Sequence, residues 1–555
     1  MNPDALTRTL QEFLSEAAGA VVLEDGAVAF DLAQAKYSIS GEHNKCLLHL
    51  WSAERNTVRR VLDAEVKNGA LRLAVQRMGQ ARPTKLEICR EQDRRSPTAK
   101  RAARMAYEHK LRRALERMFP GFAIARMTSG ADLEKSFGPV YTRGIIRRGQ
   151  SAFAVLGVNE KETQASIDAA LTFGILWMDG CRENPHFSQR TREMGHPSCL
   201  VEGLHLFVPQ GCSAVVRERM AHLNRAAAKW RLFEFDERED AVVEVDSSDR
   251  GNVATRLVHA VNEEAARERF AESIEKINAI LPNCEVAVLS GAEIGFRWRG
   301  LEFARARLGG ELPHFSQNRG EVGHPSSFHY PRELESGNPN PFQYRQEIVF
   351  GVGAEERMLE ERNFGFFVQL LTAVRERRHP YGPRQDRLFR MHAERWLESL
   401  VVKDVSVVDE RLEAALRYSQ VPAFSAADRA MIGVLTVTRQ GRLAVVELKA
   451  DEDIHLPLQG LDYWARVEWH HGRGEFSRFG YFEERELSAE APLLFLVAPA
   501  LHVHPATDVL LRYIAPEIEW VFVGIDERWR EGVRVVFRKR PGDRMREEFR
   551  VPLAG

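Results

Sequence analysis

The chain has 555 residues, enough for about three or four domains at one per 100–200 residues, which excludes a single-motif peptide. With 44% hydrophobic and 28% charged residues, 39 Gly and 24 Pro, it fits neither collagen, nor a coiled coil, nor a wholly disordered chain. Lys plus Arg (78) nearly cancels Asp plus Glu (79), so any nucleic-acid surface must be local.

The six cysteines, Cys46, Cys89, Cys181, Cys199, Cys212 and Cys284, form no C-x-x-C pair, which argues against a zinc ribbon and a disulfide framework. No stretch reaches 18 uninterrupted apolar residues, and the first residues lack a signal-peptide pattern. The expected setting is the cytoplasm, with no membrane partner. As a whole the sequence reads as an α/β multidomain protein: a small β domain, a central α/β region and a C-terminal α/β domain.

Residues 1–92 are expected to form the small β domain. Short strand-like runs flank Asp25-Gly26 and Asn68-Gly69, dipeptides suited to type I′ hairpin turns. Residues 93–150 supply a basic helix and a connector. Residues 94–118 carry nine Lys or Arg against two acids, with Met105, Leu111, Leu115 and Met118 at near-helical spacing. Lys100, Arg101, Arg104, Arg112 and Arg113 are the candidate contacts to a phosphate backbone.

Residues 151–380 are expected to be the central α/β region. AFAVLGV, LHLFVP and RLFEF alternate with two helical segments, the βαβαβ order of a mostly parallel sheet. Gly157 follows the first strand, but the glycines of a dinucleotide loop or P-loop are missing, so no nucleotide site is assigned. A repeat interrupts the region: PHFSQRTREMGHPS at 185–198 and PHFSQNRGEVGHPS at 313–326 agree at ten of fourteen positions. Their polarity and Pro/Gly punctuation read as surface loop insertions. A metal site built from His186, His196, His314 and His324 is the alternative.

Residues 381–555 carry the chemistry. RAMIGVLTV and RLAVVELK are two apolar strands joined by a turn, and Glu447 and Lys449 close the second. Strand periodicity puts both side chains on one face, where a carboxylate and an ammonium can hold a hard cation and a water. A helix with Gln459 and Tyr463 at Q-x-x-x-Y spacing follows, and the acidic helix AERWLESL precedes. His470, His471, His502 and His504 read as surface histidines.

This joint pattern, over about residues 385–530, resembles the PD-(D/E)XK nuclease superfamily, closest to its RecB-like and NucS-like branches. The resemblance implies a restriction-endonuclease-like α/β domain, Mg²⁺ as the cofactor and DNA as the substrate. It makes Glu447 a Mg²⁺ ligand and Lys449 the group that orients water or stabilises developing charge. Gln459 and Tyr463 support the site, and Glu394 or Glu398 is the accessory acid. One position departs from the pattern: Gly433 stands where the family carries a second ligand Asp, and Asp428 is the nearest acid on that strand. Two functional readings follow. One is a Mg²⁺-dependent DNA nuclease in which another acid, Asp451 or Glu452, completes the site. The other is a catalytically decayed nuclease-like protein that binds DNA or acts as a scaffold. A third, an independent enzyme in the central region, has no motif behind it.

Overall fold

The computed structural model describes all residues except 1–2, 16–19, 25–26, 33–34, 43–44, 52–55, 68–69, 78–82, 91–96, 131, 133–136, 184–199, 251–254, 310–344, 353–355, 426–428, 484 and 544–555. Both PHFSQ segments, both expected type I′ turns and Asp428 lie outside the described residues. The chain divides into two compact units, residues 1–260 with 392–555, and residues 261–391. The stretch expected as one central region, 151–380, is therefore shared between them.

The first unit opens with a seven-stranded antiparallel sheet, spatial order 27–31, 20–24, 84–90, 70–77, 56–67, 45–51, 36–42, covered by the helix Pro3–Ser15. Leu6 and Leu10 of the helix close a core with Leu48, Leu71, Leu73 and Ile88. The stretch expected as a small β domain is thus a wholly antiparallel sheet, within the larger first unit.

A second sheet follows, framed by helix α1 (Pro97–Met118). Its strands are β1 (Ala123–Thr128), β2 (Tyr141–Arg148) and β3 (Ser151–Val158), then β4 (Leu200–Pro209), β5 (Lys229–Asp236) and β6 (Ala241–Val245). Helix α2 (Ala170–Glu183) links β3 to β4, and α3 (Ala214–Ala221) links β4 to β5. β3, β4 and β5 are parallel, as their unbroken apolar runs and intervening helices require, while β1, β2 and β6 pair antiparallel. α1 turns Tyr107, Leu111, Ala114 and Leu115 into the core. Met105, expected on that apolar stripe, is instead 54% exposed, because Tyr107 leads the buried face.

The third sheet completes this unit. Helix α4 (Ala393–Lys403) precedes β7 (Leu412–Ser425), β8 (Arg429–Thr438) and β9 (Leu443–Leu448). Then come α5 (Leu456–Gly472), β10 (Leu493–Pro499), α6 (Thr507–Arg512), β11 (Trp520–Ile525) and β12 (Val535–Lys539). The order across the sheet is 255–257, β7, β8, β9, β10, β11, β12, with β9, β10 and β11 parallel. α5 starts with Pro457 in its first turn, where the missing N–H leaves nothing unpaired.

The second unit, residues 261–391, holds a five-stranded, wholly antiparallel sheet with helices Glu263–Arg269, Ala271–Ile280 and Phe364–Arg377. Phe270, Phe296, Phe303 and Phe367 fill its core. The parallel pattern expected of the central region thus stops with β5. No helix among the described residues is long and apolar enough to cross a membrane.

Candidate active site

β9 is the central strand of its sheet, and Glu447 is its one ionisable residue, 7% exposed among buried Leu443, Ala444, Val445, Val446 and Leu448. Alternation sends Leu443, Val445 and Glu447 toward α5. That helix comes close because Gly460 has no side chain: a Cβ there would lie 2.4 Å from Leu496 Cδ2, 3.2 Å from Leu494 Cδ1 and 3.7 Å from Glu447 Cβ. Gly460→Val is therefore expected to lower stability by about 2–3 kcal/mol, despite glycine's poor helix propensity. Urea unfolding followed by tryptophan fluorescence measures it. An unchanged midpoint would mean that α5 does not seat on Leu494 and Leu496.

Lys449 stands just past the strand, and its N–H still donates to the Val497 carbonyl at 2.9 Å. Its ammonium lies 3.2 Å from Asp453 Oδ2, 3.5 Å from Glu394 Oε1 and 4.0 Å from Glu447 Oε1. One cation thus sits among three carboxylates drawn from β9, α4 and the turn before α5. Asp453 is fixed twice, since its Oδ1 accepts the His455 N–H at 2.7 Å while Oδ2 faces the ammonium.

Burial pushes the Glu447 carboxyl up to about 8. Lys449 opposes that rise, and Glu394, Glu398 and Asp453 add to it. For Lys449, burial works to lower the pKa, but Glu394, Glu447 and Asp453 outweigh it and hold the ammonium above its ordinary value. At neutral pH Lys449 is charged and Glu447 largely keeps its proton.

Of the candidates from the sequence, Glu447, Lys449 and Glu394 come together. Glu398, the alternative to Glu394, is held by Arg395 at 3.3 Å and accepts the Ser419 hydroxyl at 2.8 Å. Gln459 precedes Gly460 on α5 and is half-buried, its Oε1 without a hydrogen-bond partner among the described residues. Tyr463 packs on the core beneath the Arg466 guanidinium, 5.7 Å from the ring centroid. Asp451 and Glu452 do not turn in. Their side chains are 82% and 54% exposed and face His502 at 3.9 Å and His504 at 3.8 Å. Asp453, missed in the sequence, turns in to Lys449 where they do not. Its signal is an Asp three residues before the first helical residue, where an Asx turn forms with the His455 N–H.

The histidine reading also changes at one position. His470 is fully buried, with Nδ1 2.5 Å from Glu475 Oε2 and Nε2 2.9 Å from the Thr255 hydroxyl, because it lies on the inner face of α5. On α1, Arg104 is bound through Nε and Nη2 to both Glu162 oxygens, at 2.7 and 3.2 Å, which engages the guanidinium inside the protein. Arg113 is exposed and Arg112 half-exposed, and Lys100 and Arg101 lie where the backbone alone is described.

The side chains present do not suit the implied Mg²⁺. Continued by one residue from Val434–Val446, the β8–β9 register sets Gly433 opposite Glu447. A Cβ at Gly433 would lie 3.2 Å from Glu447 Oε2 and 3.1 Å from the Val446 carbonyl oxygen. A carboxylate carried there would face Glu447 across the ladder, and glycine supplies none. Among the described residues no three His, Cys, Asp or Glu side chains are grouped so as to hold a metal ion.

No protein-family model matches the chain, and no curated protein or solved structure matches it.

Proposed function

We propose that this is a cytoplasmic, DNA-binding protein whose C-terminal sheet is of PD-(D/E)XK nuclease type and whose metal site is incomplete, so that DNA binding outweighs Mg²⁺-dependent cleavage. What supports the nuclease type is the arrangement around β9: an acid-bearing helix ahead of a hairpin, Glu447 and Lys449 at the end of its second strand, and α5 lying over them. The observation that carries the incomplete site is Gly433, whose missing side chain is directed at the Glu447 carboxylate. With no carboxylate at position 433 to face Glu447, and with Glu447, Glu394 and Asp453 turned to the Lys449 ammonium rather than grouped to hold a metal, a hard dication is held poorly.

The wild-type chain should bind duplex DNA with an affinity that falls linearly on a log–log plot against salt, as phosphate contacts by residues such as Arg112 and Arg113 require. Fluorescence anisotropy on a labelled duplex measures this, and Mg²⁺ should leave the DNA mostly intact. Efficient cleavage by the wild-type chain, abolished by Glu447→Ala, would favour the other reading, an active Mg²⁺-dependent nuclease. Salt-insensitive binding, or none, would remove DNA as the partner.

A further inference from the structure

Residues 97–245 and 393–539 are built alike. The first runs α1-β1-β2-β3-α2-β4-α3-β5-β6 and the second α4-β7-β8-β9-α5-β10-α6-β11-β12, with the same strand neighbours in the same parallel or antiparallel senses. Their registers coincide, since Leu204 pairs with Trp230 as Leu494 pairs with Trp520. From each tryptophan the sequence reads W-x₅-D-E-R: Trp230, Asp236, Glu237, Arg238 and Trp520, Asp526, Glu527, Arg528. In both, the Asp side chain accepts the backbone N–H of the Arg at 2.7 Å. In both, a glycine seats the long helix on the sheet: a Cβ at Gly174 would lie 2.7 Å from Leu204, and one at Gly460 would lie 2.4 Å from Leu496.

The copies meet about a local two-fold axis. Leu223 bridges Ile514, the Asn224 N–H donates to the Tyr513 carbonyl at 2.8 Å, and the Ala515 N–H donates to the His222 carbonyl at 3.0 Å. Exchanging the copies maps one of these bonds onto the other. On each side an arginine on the short helix of one copy pairs with an aspartate on the long helix of the other: Arg219 with Asp462 at 2.7 Å, and Arg512 with Asp179 at 3.1 Å. One core joins them, with Leu204, Leu206 and Met220 packed in the same cluster as Leu494, Leu496 and Leu511.

Only the second copy carries the candidate site. Glu447 pairs with Leu496, and the matching position, paired with Leu206, is Leu156. Two residues on, Val158 stands in place of Lys449. Arg143, paired with Leu156, stands in place of Gly433. Leu156 and Val158 are buried hydrocarbon. The two strands of a duplex are related by two-fold axes, so a concerted double-strand cut takes two sites related in the same way.

We propose that the chain is its own two-fold partner, engages one duplex as a monomer, and addresses one of the two strands through its single site. The part concerning DNA rests on the nuclease-type reading above. In the Gly433→Asp chain, hydrolysis there would add one water across one phosphodiester. The water oxygen bonds to phosphorus and the bond from phosphorus to one sugar oxygen breaks. One water proton ends on the released hydroxyl and the other on the phosphate monoester, leaving a nick.

Analytical ultracentrifugation of the full chain, alone and with a blunt duplex, tests the pairing. The mass of a single chain and one chain per duplex are expected, whereas a free dimer or two chains per duplex would overturn it. On supercoiled plasmid with Mg²⁺, Gly433→Asp should accumulate open circles before any linear DNA, and linear DNA as the first product would overturn the single-strand assignment. If Gly433→Asp cuts nothing, or the chain binds no DNA, the reading of the site fails while the mass of the free chain still decides the pairing.

Discussion

Gly433→Asp is expected to turn on Mg²⁺-dependent cleavage of DNA, raising the rate at least about 100-fold over the wild-type chain, equivalent to about 3 kcal/mol of barrier. The reason lies in the β8–β9 ladder. The Cβ of the new side chain would stand 3.2 Å from Glu447 Oε2, tight enough that the Glu447 carboxylate must give by a few tenths of an ångström. Two carboxylates then face each other beside Lys449, and like charges so close hold protons until a dication replaces them. Plasmid cleavage with Mg²⁺ and with EDTA measures the gain, and adding Glu447→Ala to Gly433→Asp should remove it. If wild type already cuts well and Gly433→Asp adds nothing, an acid outside this pair completes the site.

Much of this site was legible because its chemistry is local. Glu447 lies near the end of β9 and Lys449 two residues on, so period-two geometry places both on one face. Asp453 was not legible. It is set by an Asx turn and by a contact with Lys449, and neither follows from a hydrophobic period. The pairing of Arg219 with Asp462 was also hidden, since it joins residues 243 apart in sequence and depends on how two sheets share a layer of helices. The internal duplication left only W-x₅-D-E-R and two similar strands, with an antiparallel unit inserted between the copies. The PHFSQ repeat does not mark the duplication, since its second segment falls in the inserted unit. His470 shows the same limit at one residue: at the polar end of α5 His471 is half-buried, whereas His470 is fully buried, where Thr255 and Glu475 enclose the ring.

Stability should depend on pH through Glu447. Its carboxyl titrates near 4.5 in the unfolded chain and at about 8 when buried beside Lys449, Glu394, Glu398 and Asp453, so between these values the folded chain binds a proton that the unfolded chain does not. The folded state is therefore progressively destabilised as pH rises through that window, and the loss is complete above about 8. At about 1.36 kcal/mol per pH unit the loss is at most about 5 kcal/mol, a shift that already includes the opposing charge of Lys449. Glu447→Gln cannot ionise, so its unfolding free energy should lack this fall. The variant should be close to wild type at pH 5 and more stable than wild type by a few kcal/mol at pH 8.5, as read from denaturant midpoints at each pH. Parallel curves for the two proteins would mean that Glu447 ionises without penalty in the folded state. In the Gly433→Asp background the same titration sets the chemistry: cleavage should climb as pH approaches 8 in limiting Mg²⁺ and flatten earlier in excess, because the dication competes with the proton for the same carboxylate.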